Sequence, residues 1–354
     1  MDPTPPKHED AKDRAEQSHT IEDEKLPSYI PNPNISIGPE KIIDNPPQYS
    51  TRSNVDNGQG WRFMICNKTF SDDLVAFVSE DSIEMFNTFK ERTKGDPLSP
   101  AAIHAREQQS KGLGVPLLKV KSHNFHVNKF LTIQIYFIDK EKINSRGFKE
   151  KEDLYDFCII TKYMHVEYTT YVLKFTPDPI DRSQDFEIVI FVHSVLPVND
   201  YIYKNDRYRW IQESATWGKR HNYTNLLLQP DQHALTDNWN RETYKLDKQI
   251  DPKNPLIGGY LKKVFSTSSR KRSKEYYSSI QLGVLEQNEE DYIFGSYRHR
   301  AQYITGDNYT PNDGTVDYES INSVNLDALT RLCMAILFKR REDIIEAAAS
   351  TYVA

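Results

Sequence analysis

Leu326-Asp327-Ala328-Leu329-Thr330-Arg331-Leu332-Cys333-Met334-Ala335-Ile336-Leu337-Phe338 is followed directly by Lys339-Arg340-Arg341. Leu326, Leu329, Leu332, Cys333, Ile336 and Leu337 recur at the spacing of a helix, and the pattern predicts one helix over 326–348. Asn325 is placed to cap its first turn, with Asp327 near the positive end of the helix dipole. No polar residue interrupts Leu332 to Phe338, so the middle of this helix is apolar on every side. A helix lying on a protein surface keeps a polar face. The run is also far short of the ~20 apolar residues that cross a bilayer, so protein must surround it. Lys339 to Arg341 should then return the chain to water and complement the C-terminal end of the dipole.

What precedes the helix is written in period two. Leu131, Ile133, Ile135 and Phe137 alternate with Thr132, Gln134, Tyr136 and Ile138, and Phe186 to His193 behaves alike. Tyr155 to Ile159 begins a strand that a hairpin-like stretch through Met164, Tyr168 and Val172 continues. Further strands are predicted at Trp61–Cys66, Leu74–Val78, Tyr208–Gln212, Leu226–Gln229, Tyr260–Phe265, Ile280–Val284 and Tyr292–Tyr297. Clusters such as Thr176-Pro177-Asp178-Pro179 and Asn254-Pro255 punctuate them. Loops are expected at 91–115, 229–258 and 305–318, the first holding a short helix from Pro100 to Gln109. Many strands with few helices between them make a mainly β fold, an antiparallel barrel or sandwich rather than an α/β sheet. With 21 Tyr and 16 Phe the chain is rich in residues that favour strands.

Many strands closed by a helix that is apolar all round resembles the tubby C-terminal superfamily, which includes the scramblases and the plant LURP-one-like proteins. The residues that carry the resemblance are the helix core Leu326 to Leu337, Phe338 to Arg341 after it, the Arg209-Trp210 strand and the strands at 277–297. The chain is similar to fungal proteins of this kind. The resemblance covers about residues 60–350. It implies a closed barrel of about ten to twelve antiparallel strands wrapped around the C-terminal helix. Some superfamily members bind phosphoinositides through basic residues on barrel strands, but no position here matches theirs. The palmitoylated cysteine cluster of scramblases and their terminal span have no counterpart in this sequence, which speaks against scrambling.

Residues 1–59 have a different character. They hold nine of the 19 prolines, no Trp and no Phe, with six Lys or Arg against 11 Asp or Glu, a net of −5. The whole chain carries −6, which leaves residues 60–354 near neutrality at −1. Low hydrophobicity with excess charge cannot offset the entropy of ordering, so this acidic head is expected to be a disordered tail. It contains two candidate docking motifs. Pro46-Pro47-Gln48-Tyr49 reads P-P-x-Y, and Leu26-Pro27-Ser28-Tyr29 reads L-P-x-Y. Proline holds such a peptide in an extended polyproline II shape before it meets a WW domain, so little entropy is lost on docking, and the tyrosine fills a second slot. The pair resembles the signal read by HECT ubiquitin ligases that carry WW domains. Lys7, Lys12, Lys25 and Lys41 lie near the motifs, where such a ligase could reach them. A phosphate on Ser28 or Ser50 would add charge to an apolar contact and weaken it.

Composition narrows the rest. Cys66, Cys158 and Cys333 show neither metal nor redox spacing, which suits buried free thiols in a reducing compartment. The acidic head has no apolar stretch and so does not read as a secretory signal. A near-neutral body argues against nucleic-acid binding. A cytoplasmic location is expected, with peripheral association at membranes as an option and the nucleus open. Phosphate-binding glycine loops, nucleophile elbows and zinc-protease helices are missing from the sequence. His123 and His126 are three apart in a strand-like segment and fall on opposite faces, so neither a metal site nor any cofactor is expected. Glu289, Glu290 and Asp291 read as a solvated turn, and Trp210, Trp217 and Trp239 as core. The densest basic cluster is Arg270-Lys271-Arg272-Ser273-Lys274. It reads as a solvated loop, a contact for anionic phospholipid headgroups, a nuclear-import signal, or a kinase site at Ser273. No catalytic residue emerges. The expected function is that of a non-enzymatic adaptor or substrate of a WW-domain HECT ligase. The alternatives are a peripheral phospholipid-binding protein and, third, an enzyme whose site is assembled from distant strands.

Overall fold

The computed structural model describes residues 60–351 except 69–72, 124–127, 166–167, 195–196, 213–221, 244, 247–279 and 306–317. The expected disordered tail 1–59, both docking motifs and the strand at Tyr260–Phe265 lie outside the described residues.

Twelve strands close into one antiparallel barrel. In chain order they are β1 (Arg62–Lys68), β2 (Leu74–Phe77), β3 (Leu118–Ser122), β4 (Lys129–Tyr136), β5 (Leu154–Met164), β6 (Tyr168–Phe175), β7 (Phe186–His193), β8 (Val198–Tyr203), β9 (Asp206–Gln212) and β10 (Tyr223–Leu227). The two-residue pair β11 (Trp239–Asn240) and β12 (Lys245–Leu246) stands apart, and β13 (Ile280–Phe294) and β14 (Tyr297–Thr305) complete the wall. Around the barrel the order is β1-β14-β13-β10-β9-β8-β7-β6-β5-β4-β3-β2, and β1 also pairs with β2, so no edge is left for another chain to extend. Among the described residues four α-helices accompany the strands: α1 (Glu80–Arg92), α2 (Pro100–Ser110), α3 (Lys140–Arg146) and α4 (Leu326–Thr351).

The C-terminal helix α4 fills the barrel. Leu332 to Phe338 is wholly buried and belongs to the same core as the inward residues Phe63, Ile65, Ile160, Leu173, Ile190, Trp210 and Tyr303. Phe338 stacks on Tyr223 with centroids 5.0 Å apart and meets Trp210 at 5.3 Å. The cap is the expected one: Ala328 N donates to Asn325 Oδ1 at 2.7 Å. Asp327 accepts from Tyr203 Oη and from Lys204 Nζ, each at 2.8 Å. Lys204 and Asn205 have positive φ of 49° and 69°, the geometry of a two-residue hairpin turn between β8 and β9. The salt bridge therefore ties a left-handed turn at one rim of the barrel to the first turn of α4.

Lys339 to Arg341 does not return to water. The helix runs on to Thr351, past the expected 348, because Glu346, Ala347 and Ala348 favour helix and neither Gly nor Pro stops it. Lys339 is 0% exposed and pairs with Asp343 one turn on. Asp343 also meets Arg300 Nη2 at 3.5 Å. Glu342 is buried and accepts from Tyr223 Oη and, at 3.2 Å, from Gln212 Nε2. Lys339 and Glu342 remain inside because each finds a partner on the helix or the wall.

Helices outside the barrel explain strands that are apolar on both faces. On β7, Ile188, Ile190 and Val192 face the central core, while Val189 and Phe191 join Val172, Val198 and Leu235 outside. On β1, Met64 and Cys66 face Ile83 and Phe86 of α1. Ser79 caps α1 by accepting from Ser82 N at 3.0 Å, a start signal absent from the expected elements. The stretch Tyr292–Tyr297 is not one strand: Gly295, at φ 59°, turns β13 into β14. Glu289 to Asp291 fall within β13, where its register against β14 shifts between Gln287 and Tyr292, rather than in a turn between elements.

A cationic cleft at the barrel mouth

The sequence-predicted sites and the structure do not overlap. Leu26, Pro27 and Tyr29, then Pro46, Pro47 and Tyr49, and the basic cluster Arg270, Lys271, Arg272, Ser273 and Lys274 all lie outside the described residues. His126, His221 and Trp217 do as well. His123 Nε2 lies 2.9 Å from Thr132 Oγ1, and His299 Nε2 lies 3.0 Å from Ala301 O. Burial holds the His299 imidazole below its usual range. Among the described residues no three His, Cys, Asp or Glu side chains gather as a metal would require. Trp210 is core, as expected, and Trp239 packs against the outer cluster on β7.

Two buried pairs have structural roles. Asp200 is 0% and Arg209 2% exposed, and they form a two-pronged ion pair at 2.6 and 2.7 Å. Asp200 also accepts from Leu235 N at 2.7 Å, and Arg209 Nη2 donates to His233 O at 2.9 Å, so the pair pins the segment around 233–238 to the outer wall. Cys158 of β5 meets Cys333 of α4 in the core. Burial pushes the Cys158 thiol well up, and its hydrogen bond with Cys333 adds to that.

The charged concavity is at the rim where α4 leaves the barrel. It is a cleft of about 950 Å³. Six consecutive strands of the wall, β14, β1, β2, β3, β4 and β5, contribute to it, and one face of α4 forms the remaining side. Its cations are Lys129, Lys162, Arg298, Arg300 and Arg340, against the carboxylates of Asp343 and Glu346.

Each cation has a local reason for being there. On β5 the inward series is Cys158, Ile160, Lys162 and Met164, which is apolar in the core and changes character at the rim. Lys162 Nζ lies 5.8 Å from the centre of the Phe130 ring. On β14 a bulge does the positioning. Ile65 pairs with Ala301, but the next residue, Cys66, pairs with His299, so Arg300 is the extra residue. The inward parity of Tyr303 and Ala301 is thereby reversed. Tyr297 turns outward into the α1 cluster, and Arg298, opposite Asn67, turns toward the mouth. On α4, Arg340, Asp343, Ile344 and Ala347 share one face by their spacing. Arg340 is 8% exposed, and among the described residues its Nε has no hydrogen-bond partner.

These features define the class: a closed antiparallel β-barrel built around its own C-terminal helix, with a cationic cleft where that helix emerges. A model of the DIA1 family matches residues 57–346, nearly the whole of the described body, and the chain belongs to the DIA1 family. No curated protein and no solved structure matches it.

Proposed function

We propose that this protein is a non-enzymatic adaptor or substrate recruited by a WW-domain HECT ubiquitin ligase, with its barrel as a fungal, tubby-like body. The carrying observation is the pair of motifs Pro46-Pro47-Gln48-Tyr49 and Leu26-Pro27-Ser28-Tyr29 in a proline-rich, acidic head. The layout of the body supports the tubby-like reading, since the helix occupies the interior that an empty barrel would offer to cargo. Partners would then meet the head or the outer surface. The location that suits this role is the cytoplasm, with peripheral contact at membranes.

The test is calorimetry of the full chain with isolated WW domains. Each motif should bind with micromolar affinity, on the order of −7 to −8 kcal/mol, and tandem domains should gain avidity from meeting both. Tyr49→Ala should weaken binding more than Tyr29→Ala, because Pro46-Pro47 gives two prolines to the groove and Leu26-Pro27 one. No heat with any WW domain, or an unchanged double variant, would sink the reading.

The second reading is peripheral binding to anionic phospholipid through Arg270, Lys271, Arg272 and Lys274. It is favoured by their density in an otherwise near-neutral body. Each basic residue contributes about 1 kcal/mol near an anionic surface. Replacing all four should reduce sedimentation with anionic vesicles, and equal sedimentation would reject it.

A further inference from the structure

We propose that a second copy of this chain docks end to end: the loop between β6 and β7 of one molecule enters the cleft at the barrel mouth of the next. The contact uses neither the WW-docking motifs nor the 270–274 cluster, so it holds or fails independently of both.

The loop presents one apolar side chain between two acids. Residues 176–185 join β6 to β7 and carry Asp178, Asp181 and Asp185 against a single cation, Arg182. Arg182 Nη2 pairs with Asp185 at 2.9 Å, and among the described residues Asp178 and Asp181 have no ion pair. Between them stands Ile180, at 91% the most exposed large hydrophobic side chain among the described residues. A lone exposed isoleucine is ordinary on a protein surface. This one is held in a fixed turn. Asp178 Oδ1 accepts from Ile180 N at 2.7 Å and from Asp181 N at 3.2 Å, and Tyr155 Oη donates to Pro177 O at 2.8 Å. Pro177 and Pro179 fix their own φ. A loop already ordered in this way loses little conformational freedom on docking.

The cleft has the complementary character. Five of the seven charged residues lining it are cationic, and of its two carboxylates Asp343 is engaged by Lys339 and Arg300. Beside Lys129 and Lys162, Phe130, Met164 and Ile344 give it an apolar side, with Met164 77% and Ile344 42% exposed. Docking would set Asp178 and Asp181 against the cations and Ile180 against the apolar side. A cleft of about 950 Å³ is in the range that takes a drug-sized molecule, and so takes the tip Asp178 to Asp181. One molecule cannot make this contact with itself. The loop is fixed beside Tyr155 near the start of β5, whereas the cleft includes Met164 at the end of that strand, roughly 30 Å away at the rise of a strand. Two different surfaces therefore meet, and the contact is heterologous. One loop in one cleft buries less than the about 1,200 Å² at which stable interfaces begin, so association should be weak and concentration-dependent.

Sedimentation equilibrium of the full chain tests this. The parent's average mass should rise with protein concentration at low salt and fall back toward the monomer as KCl is added, since the attraction is screened. Ile180→Ser disarms the loop and K129E/K162E disarms the cleft. None of these side chains is in the core, so both variants should melt like the parent. Each variant alone should associate more weakly than the parent by about ten-fold or more. An equal mixture of the two should recover association, because the intact loop of K129E/K162E meets the intact cleft of Ile180→Ser. That recovery should stop at pairs, since each molecule has one working surface left. If K129E/K162E fails to fold, Met164→Ser, at a 77% exposed position of the cleft, takes its place. The proposal is overturned if the parent is monomeric at every concentration, if either variant associates as the parent does, or if the mixture of folded variants stays monomeric.

Discussion

Replacing Phe338 with alanine probes the packing of the central helix at its most aromatic point. The side chain is 0% exposed and touches two rings of the wall, Tyr223 at 5.0 Å and Trp210 at 5.3 Å. Truncating a core Phe to Ala costs about 3–5 kcal/mol, the spread reflecting how far the cavity collapses. Here collapse is resisted, because the ring lies between a helix and a closed wall of strands. Aromatic pairs also add about 0.5–1.5 kcal/mol beyond their buried area, so the expected loss is in the upper half of that range, about 4–5 kcal/mol. That is a large share of a total stability of about 5–15 kcal/mol. In a domain of this size each kcal/mol moves the melting temperature by roughly 2–4 °C, which gives a fall of about 8–20 °C. Thermal unfolding followed by circular dichroism reads it directly. Ile345→Ala on the same helix is the control. Ile345 is 49% exposed beyond the barrel mouth, and such a change should stay within about 0.5 kcal/mol. If Phe338→Ala melts no lower than Ile345→Ala, Phe338 is not enclosed, and the packing argument fails.

Asp200→Asn should cost about 3–5 kcal/mol, because the Arg209 guanidinium is left buried without a counterion; a urea midpoint unchanged from the parent would contradict this. Asp327 gives a pH signature: burial pushes its carboxyl up, but hydrogen bonds from Lys204 and Tyr203 outweigh that and hold it below its ordinary value of 3.8. Its stabilising contribution is therefore fully present above 3.8 and fades as pH falls through the folded value, so Asp327→Asn should flatten the acid limb of the stability curve and leave the neutral region's slope alone. Finally, burial raises the Cys66 thiol to about 12 and Cys158 and Cys333 are wholly enclosed, so a thiol reagent should label none of the three cysteines in the native protein and all three in denaturant.

Much of the architecture was legible because burial writes a simple pattern. Leu332 to Phe338 admits no polar side, and only enclosure by protein satisfies that. β4 announces itself by period two, Leu131, Ile133 and Ile135 alternating with Thr132 and Gln134, whereas β14 is not among the expected strands. Phe186 to His193 reads as a strand and is β7, but the sequence does not show that its second face is covered too: Val189 and Phe191 have their own outer cluster. Helix α1 was hidden between short strands, although its Ser79 cap and Ile83, Phe86 and Phe89 face are present in the sequence. Lys339 was misplaced in water because its partner, Asp343, is identified only once the helix is seen to continue inside the barrel. The cleft was the least legible feature. Its cations run from Lys129 to Arg340, and Arg298 reaches the mouth only because a bulge at Arg300 reverses the strand's parity. One local hint was available: Lys162 follows Cys158 and Ile160 on the inward face of β5, a cation where the core pattern predicts an apolar residue.

The central claim is that the barrel is built around α4, and native-state hydrogen exchange tests it most directly. The amides of Ala328 to Phe338 should exchange only through global unfolding, with the same free energy as the central amides of β1 and β14 that wall them in. The same free energy in both places would show one cooperative unit in which helix and wall open together. Exchange of the helix amides at a markedly lower free energy than the strands would mean that α4 can leave while the barrel stays closed, which contradicts the account.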